Sequence, residues 1–138
     1  MINYWLLKSE PDVYGFDTLL KDGKGMWDGV RNYQARNNLK AMKQGDLAFF
    51  YHSNIGKEVV GMMEITKEAY PDPTTENKNW VVVEVKPLEK LKNTVTLKQI
   101  KKDELLQNMP LIKHSRLSVM PLSKDEFDRI ILLSEQRI

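Results

Sequence analysis

The chain has 138 residues, 41% of them hydrophobic, with 21 basic and 19 acidic side chains and a formal net charge of +2; that is the size of one domain, able to bury a single core without cross-links. The lack of cysteine excludes disulfides, thiolate catalysis and cysteine-ligated zinc or iron–sulfur sites, and the near-balanced charge excludes a protein held to nucleic acid by bulk electrostatics alone. Residues 1–4 offer no basic region ahead of an apolar stretch and the longest apolar run, residues 47–51, is too short to cross a bilayer, so a soluble, cytoplasmic chain with no membrane partner is expected.

Tyr4, Trp5, Leu6 and Leu7 form a short apolar run that ends at Lys8 ahead of Pro11, which predicts a first strand that stops early and a short helix over 16–21. Asn32 is placed to cap a helix reaching about residue 42, with Ala35, Leu39 and Met42 at helical spacing and Gly45 after its end. The same helix sets Arg36, Lys40 and Lys43 on another stripe, which can meet phosphates or simply face solvent. Residues 47–52 are apolar on both alternating faces, Leu47, Phe49 and Tyr51 against Ala48 and Phe50. That pattern predicts a central strand covered on both sides, with His52, Ser53 and Asn54 at its polar end.

A further strand is expected over 59–66, with Val59, Gly61, Met63 and Ile65 on one side, and another over 80–86 with Val81, Val83 and Val85 inward. Between them Tyr70, Pro71, Asp72 and Pro73 read as a loop. Lys86, Lys90, Lys92, Lys98, Lys101 and Lys102 crowd one stretch and read as a solvated face. A short helix is expected over 96–102 and an extended segment over 117–122. Ser123 and Glu126 make a capping box for a final helix whose Phe127, Ile130, Ile131 and Ser134 face the core. No repeat or linker divides the chain, so residues 1–138 form one α+β domain with a small, strongly bent sheet or barrel.

Signatures of chemistry are missing. Neither His52 nor His114 has metal-ligand spacing. Gly23, Gly25 and Gly29 depart from the dinucleotide fingerprint, and there is no Gly-x-Ser-x-Gly elbow. No metal, cofactor or catalytic residue is expected. Trp5 and Trp80 read as core aromatics, Trp27 in its non-periodic stretch reads as a pocket residue, and Tyr51 stands evenly between the two.

Three blocks carry a resemblance: Trp5-Leu6-Leu7-Lys8-Ser9-Glu10-Pro11, then Trp27-Asp28-Gly29-Val30-Arg31-Asn32-Tyr33-Gln34-Ala35-Arg36-Asn37, then Phe50-Tyr51-His52-Ser53-Asn54. Together they resemble the EVE family of the PUA-like superfamily, and weaker matches extend over nearly the whole chain. The chain departs from that family in a shorter link after Asn54, in less sequence ahead of Trp80, and in Phe127 where tryptophan is common.

The resemblance implies a PUA-like β-barrel with short flanking helices and a pocket between the sheet and residues 27–37, similar in role to the aromatic cage of YTH domains. It implies a non-catalytic reader of a modified base, methylated or hydroxymethylated cytosine, in DNA or RNA. On that reading Trp27 and Tyr51 supply stacking worth about 1 to 3 kcal/mol per base, against an unstacking cost of a few kcal/mol. His52, Ser53 and Asn54 offer donors and acceptors at the ring edge, with Lys8, Ser9, Glu10 and Asn32 completing the pocket and Val30 lining a niche for the methyl. Arg31, Arg36, Lys40 and Arg116 are the expected backbone contacts. Burying one methyl contributes only about 0.8 kcal/mol, roughly a fourfold preference, so sharper discrimination needs a hydrogen bond or a cage that strands polar groups with the wrong base. Two rivals stand beside this reading: an enzyme acting on nucleic acid or nucleotides through His52, Ser53 and Glu10, and a barrel that binds other proteins and no base.

Overall fold

The computed structural model describes residues 2–136. In chain order its elements are β1 (Tyr4–Ser9), α1 (Phe16–Asp22), β2 (Gly25–Met26), α2 (Tyr33–Ala41), β3 (Leu47–His52), β4 (Glu58–Pro71), β5 (Val81–Thr96), α3 (Leu97–Lys102), a single 3-10 turn (Glu104–Leu106), α4 (Pro110–Lys113), β6 (Val119–Leu122) and α5 (Lys124–Glu135). The strands form one sheet in the order β2-β5-β4-β3-β1-β6.

The doubly apolar segment lies where its pattern places it. β3 runs parallel to β1 on one side and antiparallel to β4 on the other, and Ala48, Phe49 and Phe50 are fully buried. Successive side chains of a strand point to opposite faces. Phe49 accordingly stacks on Phe127 of α5 at 4.3 Å, while Phe50 packs edge-on against Phe16 of α1 at 5.3 Å and against Trp27 at 5.2 Å. The capping box of α5 is present, Glu126 N donating to Ser123 Oγ and Ser123 N to Glu126 Oε1. Trp5 is core, as expected, and its indole N–H donates to buried Asp46 at 2.9 Å. That carboxylate also accepts from the amides of Asn3 and Lys43, which satisfies a polar group that would be costly to bury unpaired.

β4 and β5 run well past the predicted ends at residues 66 and 86 and take in Tyr70 and Pro71, expected in a loop. Pro87 breaks the alternation in the sequence, yet it falls at the register shift between Met62 and Met63, an irregularity where a missing N–H is tolerated. Four such shifts along the β4–β5 pair give the sheet its bend. β2, the 3-10 turn and α4 are too short to leave a period in the sequence.

The sheet is not closed into a barrel, which corrects the expectation of a β-barrel. Closure requires the first and last strands to pair; here β2 has two residues, β6 has four, and they are not neighbours in the sheet. Pro121 also removes a donor from β6. One close approach braces the bend: Phe16 lies flat against Gly61 of β4, so that a Cβ on Gly61 would overlap its ring.

Candidate functional site

A cavity of about 730 Å³ opens where β1 and β3 end, within the range of ligand-binding clefts. Three backbone segments wall it. Lys8, Ser9 and Glu10 from the end of β1, with Ser53 just past β3, form the first; the two strand ends are tied by Ser53 N donating to Ser9 O at 2.9 Å. Residues 26–31, between β2 and α2, form the second. Ser115, Arg116 and Ser118 form the third, held to β1 by Lys8 N donating to Ser118 O and Lys8 Nζ donating to Ser115 O at 2.8 Å. Burial pulls the Lys8 ammonium below the ordinary lysine range.

Trp27 is 7% exposed and still lines the cavity. Its amide donates to Val83 O, its ring stands edge-on to Phe50 at 5.2 Å, and Tyr14 meets it at 6.4 Å and 82°. The indole is therefore clamped from behind, with two aromatic rings at right angles in one wall. Burial, then the negative charges of Asp22 and Asp28, pushes the Tyr14 phenol up. Glu10 is aimed by Asn54, whose side-chain amide donates to Glu10 Oε1 at 2.5 Å.

The second wall rests on Asp72, which is 2% exposed. It accepts from Gly29 N at 3.1 Å, Arg31 Nη1 at 3.0 Å, Thr74 N at 2.7 Å and Thr74 Oγ1 at 2.5 Å. Burial alone would raise its carboxyl, but the hydrogen bonds from Thr74, Gly29 and Arg31 outweigh that and hold it at about 2. Arg31 is thus a wall tie whose guanidinium also lies over the Trp80 ring at 5.8 Å.

Of the residues expected in the pocket, Lys8, Ser9, Glu10, Trp27, Val30 and Ser53 line it, and of the expected backbone contacts Arg31 and Arg116 do. The structure places the others elsewhere. Tyr51 follows Phe50 along β3 and does not line the cavity; it is buried, with the Lys8 ammonium 6.0 Å above its ring, and burial, then Glu58, pushes its phenol up to about 12. Asn32 spends its side chain capping α2, accepting from Ala35 N at 2.9 Å. Asn54, in the left-handed conformation at φ 66°, stands behind Glu10. Arg36 lies over Tyr33 and donates to Asn79 O, and Lys40 is exposed on α2 away from the opening. Trp80, read as core, is half-buried and stacks on exposed Tyr33 at 4.9 Å.

His52 is also committed to structure. Its Nε2 accepts from Phe16 N at 3.1 Å, at the start of α1. Only a neutral ring can accept there, and burial, aided by Lys90 against Glu58 and Asp17, lowers its pKa below 6.5. The unfolded chain then binds more protons, so the stabilisation is complete above pH 6.5 and is lost as pH falls below that value through the lower pKa of the folded state. The melting temperature is expected to fall between pH 7.5 and 5.5, and His52→Gln, which removes the ionisation, should flatten that slope; equal slopes for both proteins would show that protonation carries no penalty.

Sequence reasoning missed Tyr14 and Asp72. Tyr14 shares with Trp27 a non-periodic aromatic position, the one signal that could have found it.

The EVE domain family model matches residues 3–133. The chain belongs to the EVE family. Thymocyte nuclear protein 1 of Gallus gallus is 40% identical over 97% of the chain and 69% of its own length. That alignment runs over 168 positions against 138 residues here, so the relative carries insertions that this EVE domain lacks. A crystal structure of an Agrobacterium tumefaciens protein matches with a TM-score of 0.94 and 40% identity, covering 96% of this chain and 93% of that one. The human THYN1 protein, solved in complex with 5-methylcytosine-containing DNA, matches with a TM-score of 0.90 and 36% identity over 99% of both chains. The α+β, PUA-like fold expected of an EVE domain is the fold observed.

Proposed function

We propose that this EVE domain binds DNA carrying 5-methylcytosine and takes the modified base into the cavity beside Trp27, without making or breaking a bond. The observation that carries the reading is the open cavity with a clamped indole in its wall, in a chain so similar to human THYN1. A base leaving the stack loses a few kcal/mol, and stacking on Trp27 returns about 1 to 3 kcal/mol. Cytosine presents its exocyclic N4 amine as a donor, as adenine and guanine present theirs, and a carboxylate is a matching acceptor for it. Glu10, pinned by Asn54 on the cavity wall, is that acceptor. Val30 in the opposite wall is placed for the methyl group. Arg116 makes no hydrogen bond or ion pair among the described residues and lies at the rim, free for a phosphate.

His52 bears against the enzymatic rival, because the nitrogen that a general base would use already accepts from Phe16. The test is titration of matched duplexes, with a single-stranded RNA of the same sequence as a further arm. Methylated DNA is expected to bind at least about fourfold more tightly than unmethylated. Trp27→Ala should lose on the order of 10- to 100-fold in affinity. Arg116→Ala, an exposed change that leaves the fold alone, should weaken both duplexes alike. Equal binding of the two duplexes, unmoved by Trp27→Ala, would sink the reading.

A further inference from the structure

Ser9, His52, Glu58 and Thr96 pair side by side across β1, β3, β4 and β5, a row of about 14 Å at the usual strand spacing. The Trp27 cavity opens at its Ser9 end. At its Thr96 end a hollow of about 560 Å³ is lined by Lys57, Lys98, Lys101 and Lys102, with Gly56, Thr96 and Leu97 between them.

The backbone there is fixed. Lys57 holds a left-handed φ of 47°, its carbonyl accepts from Leu97 N at 2.8 Å, and α3 starts on a capping box of Thr96 and Gln99. Of the lysines crowded into this part of the sequence, Lys86 pairs with Glu64 and Lys90 with Asp17. Among the described residues the four around the hollow have no carboxylate partner. Glu58, whose carboxylate lies beside Gly56, is the acid at the edge, and Asp103, next after Lys102, is taken by Arg129 at 2.7 Å. Four exposed lysines without a carboxylate partner make this end of the row a positive patch, and a polyanion laid across it is attracted.

We propose that Lys57, Lys98, Lys101 and Lys102 bind the phosphate backbone of the same DNA whose base enters the Trp27 cavity. Phosphates of one strand recur every 3.4 Å or so of helix axis, so a 14 Å row spans about four nucleotides from the base pocket to the lysine hollow. The inference rests on the base-reading proposal for the register of the DNA, and on unpaired charge for the contact itself.

The test compares the wild type with K57Q/K98Q/K101Q/K102Q on methylated and unmethylated duplexes of about 20 base pairs, measured between about 50 and 200 mM salt. Loss of four phosphate contacts lowers the slope of log affinity against log salt by about 3.6, so affinity should change about 150-fold less across that range. The methyl preference should be unchanged, because no lysine of the set touches the base. The corresponding four arginine substitutions should keep the wild-type slope, and matching melting curves establish that the glutamine variant is folded. A slope that falls equally on both duplexes sustains the phosphate contact even if the methyl preference is absent from both proteins, which would refute base reading alone. An unchanged slope in the folded glutamine variant overturns the proposal.

Discussion

Asp72→Ala is expected to destabilise the protein by about 2–4 kcal/mol and to weaken binding of methylated DNA in the same variant. The carboxylate is buried and takes four hydrogen bonds, from Gly29, Arg31 and twice from Thr74. A hydrogen bond to a charged group contributes about 1.5–3 kcal/mol, and its removal leaves the Gly29 and Thr74 amides without an acceptor. Arg31 is 40% exposed on its side chain, so water recovers part of that loss. The effect on binding follows from position, because Gly29 and Arg31 belong to the wall that carries Trp27 and Val30. Urea unfolding beside the duplex titration measures both, and a variant of wild-type stability would show that the wall stands without its tie.

The same carboxylate sets an acid limit. Its pKa of about 2 in the fold lies below the ordinary 3.8, so its contribution is full above pH 4 or so and disappears as pH falls through 3.8 toward about 2. At about 1.4 kcal/mol per pKa unit, discounted for the exposed end of Arg31, the amount is on the order of 1 to 2 kcal/mol. Asp72→Asn should show less of this acid-dependent loss than the wild type.

Gly61→Ala should be as damaging for a steric reason. The added Cβ meets the Phe16 ring, and both residues are buried at the bend of β4 against α1. Overpacking of this kind costs about 1–3 kcal/mol and occasionally more; the depth of the overlap points to the upper end. Displacing Phe16 also disturbs the His52 bond to its amide. The diagnostic is coupling: in a Phe16→Leu background the same alanine should cost at least about 1 kcal/mol less, a non-additivity that a double-mutant cycle reads directly. Additive effects would mean that the ring is not what the alanine meets.

Much of this architecture is legible from period and capping. Ser123 and Glu126 announce α5, Asn32 announces α2, and the two-faced run through Phe49 and Phe50 announces the central strand, because each reflects a local rule with its own residue signature. β5 is not, since Pro87 reads as a terminator until its register against Met62 and Met63 is known. In the site, Trp27, Glu10 and Ser53 could be found in the sequence as aromatic or polar residues at segment ends. Tyr51 was open because one step along a strand exchanges the faces, and no residue near it reports which face holds the opening. Asn32, His52 and Asn54 looked like ligand groups, yet each satisfies a neighbour of its own. Asp72 hides between two prolines; a buried acid in a loop has no period, and only the folded chain brings Gly29 and Arg31 to it.

The unclosed sheet bears on how these molecules behave when concentrated. A bare outer strand is a template on which another chain can add, and the danger grows with its length. At one margin the outermost strand has only four residues, with Pro121 withholding a donor, and at the other β2 pairs with β5 at Val85 and Glu84 alone. The short β6 margin offers no ladder long enough for a second molecule to extend. The other margin is the outer side of β5, whose residues 86–96 pair with β4 alone, so a strand added by a second chain would have to dock along that side of the sheet.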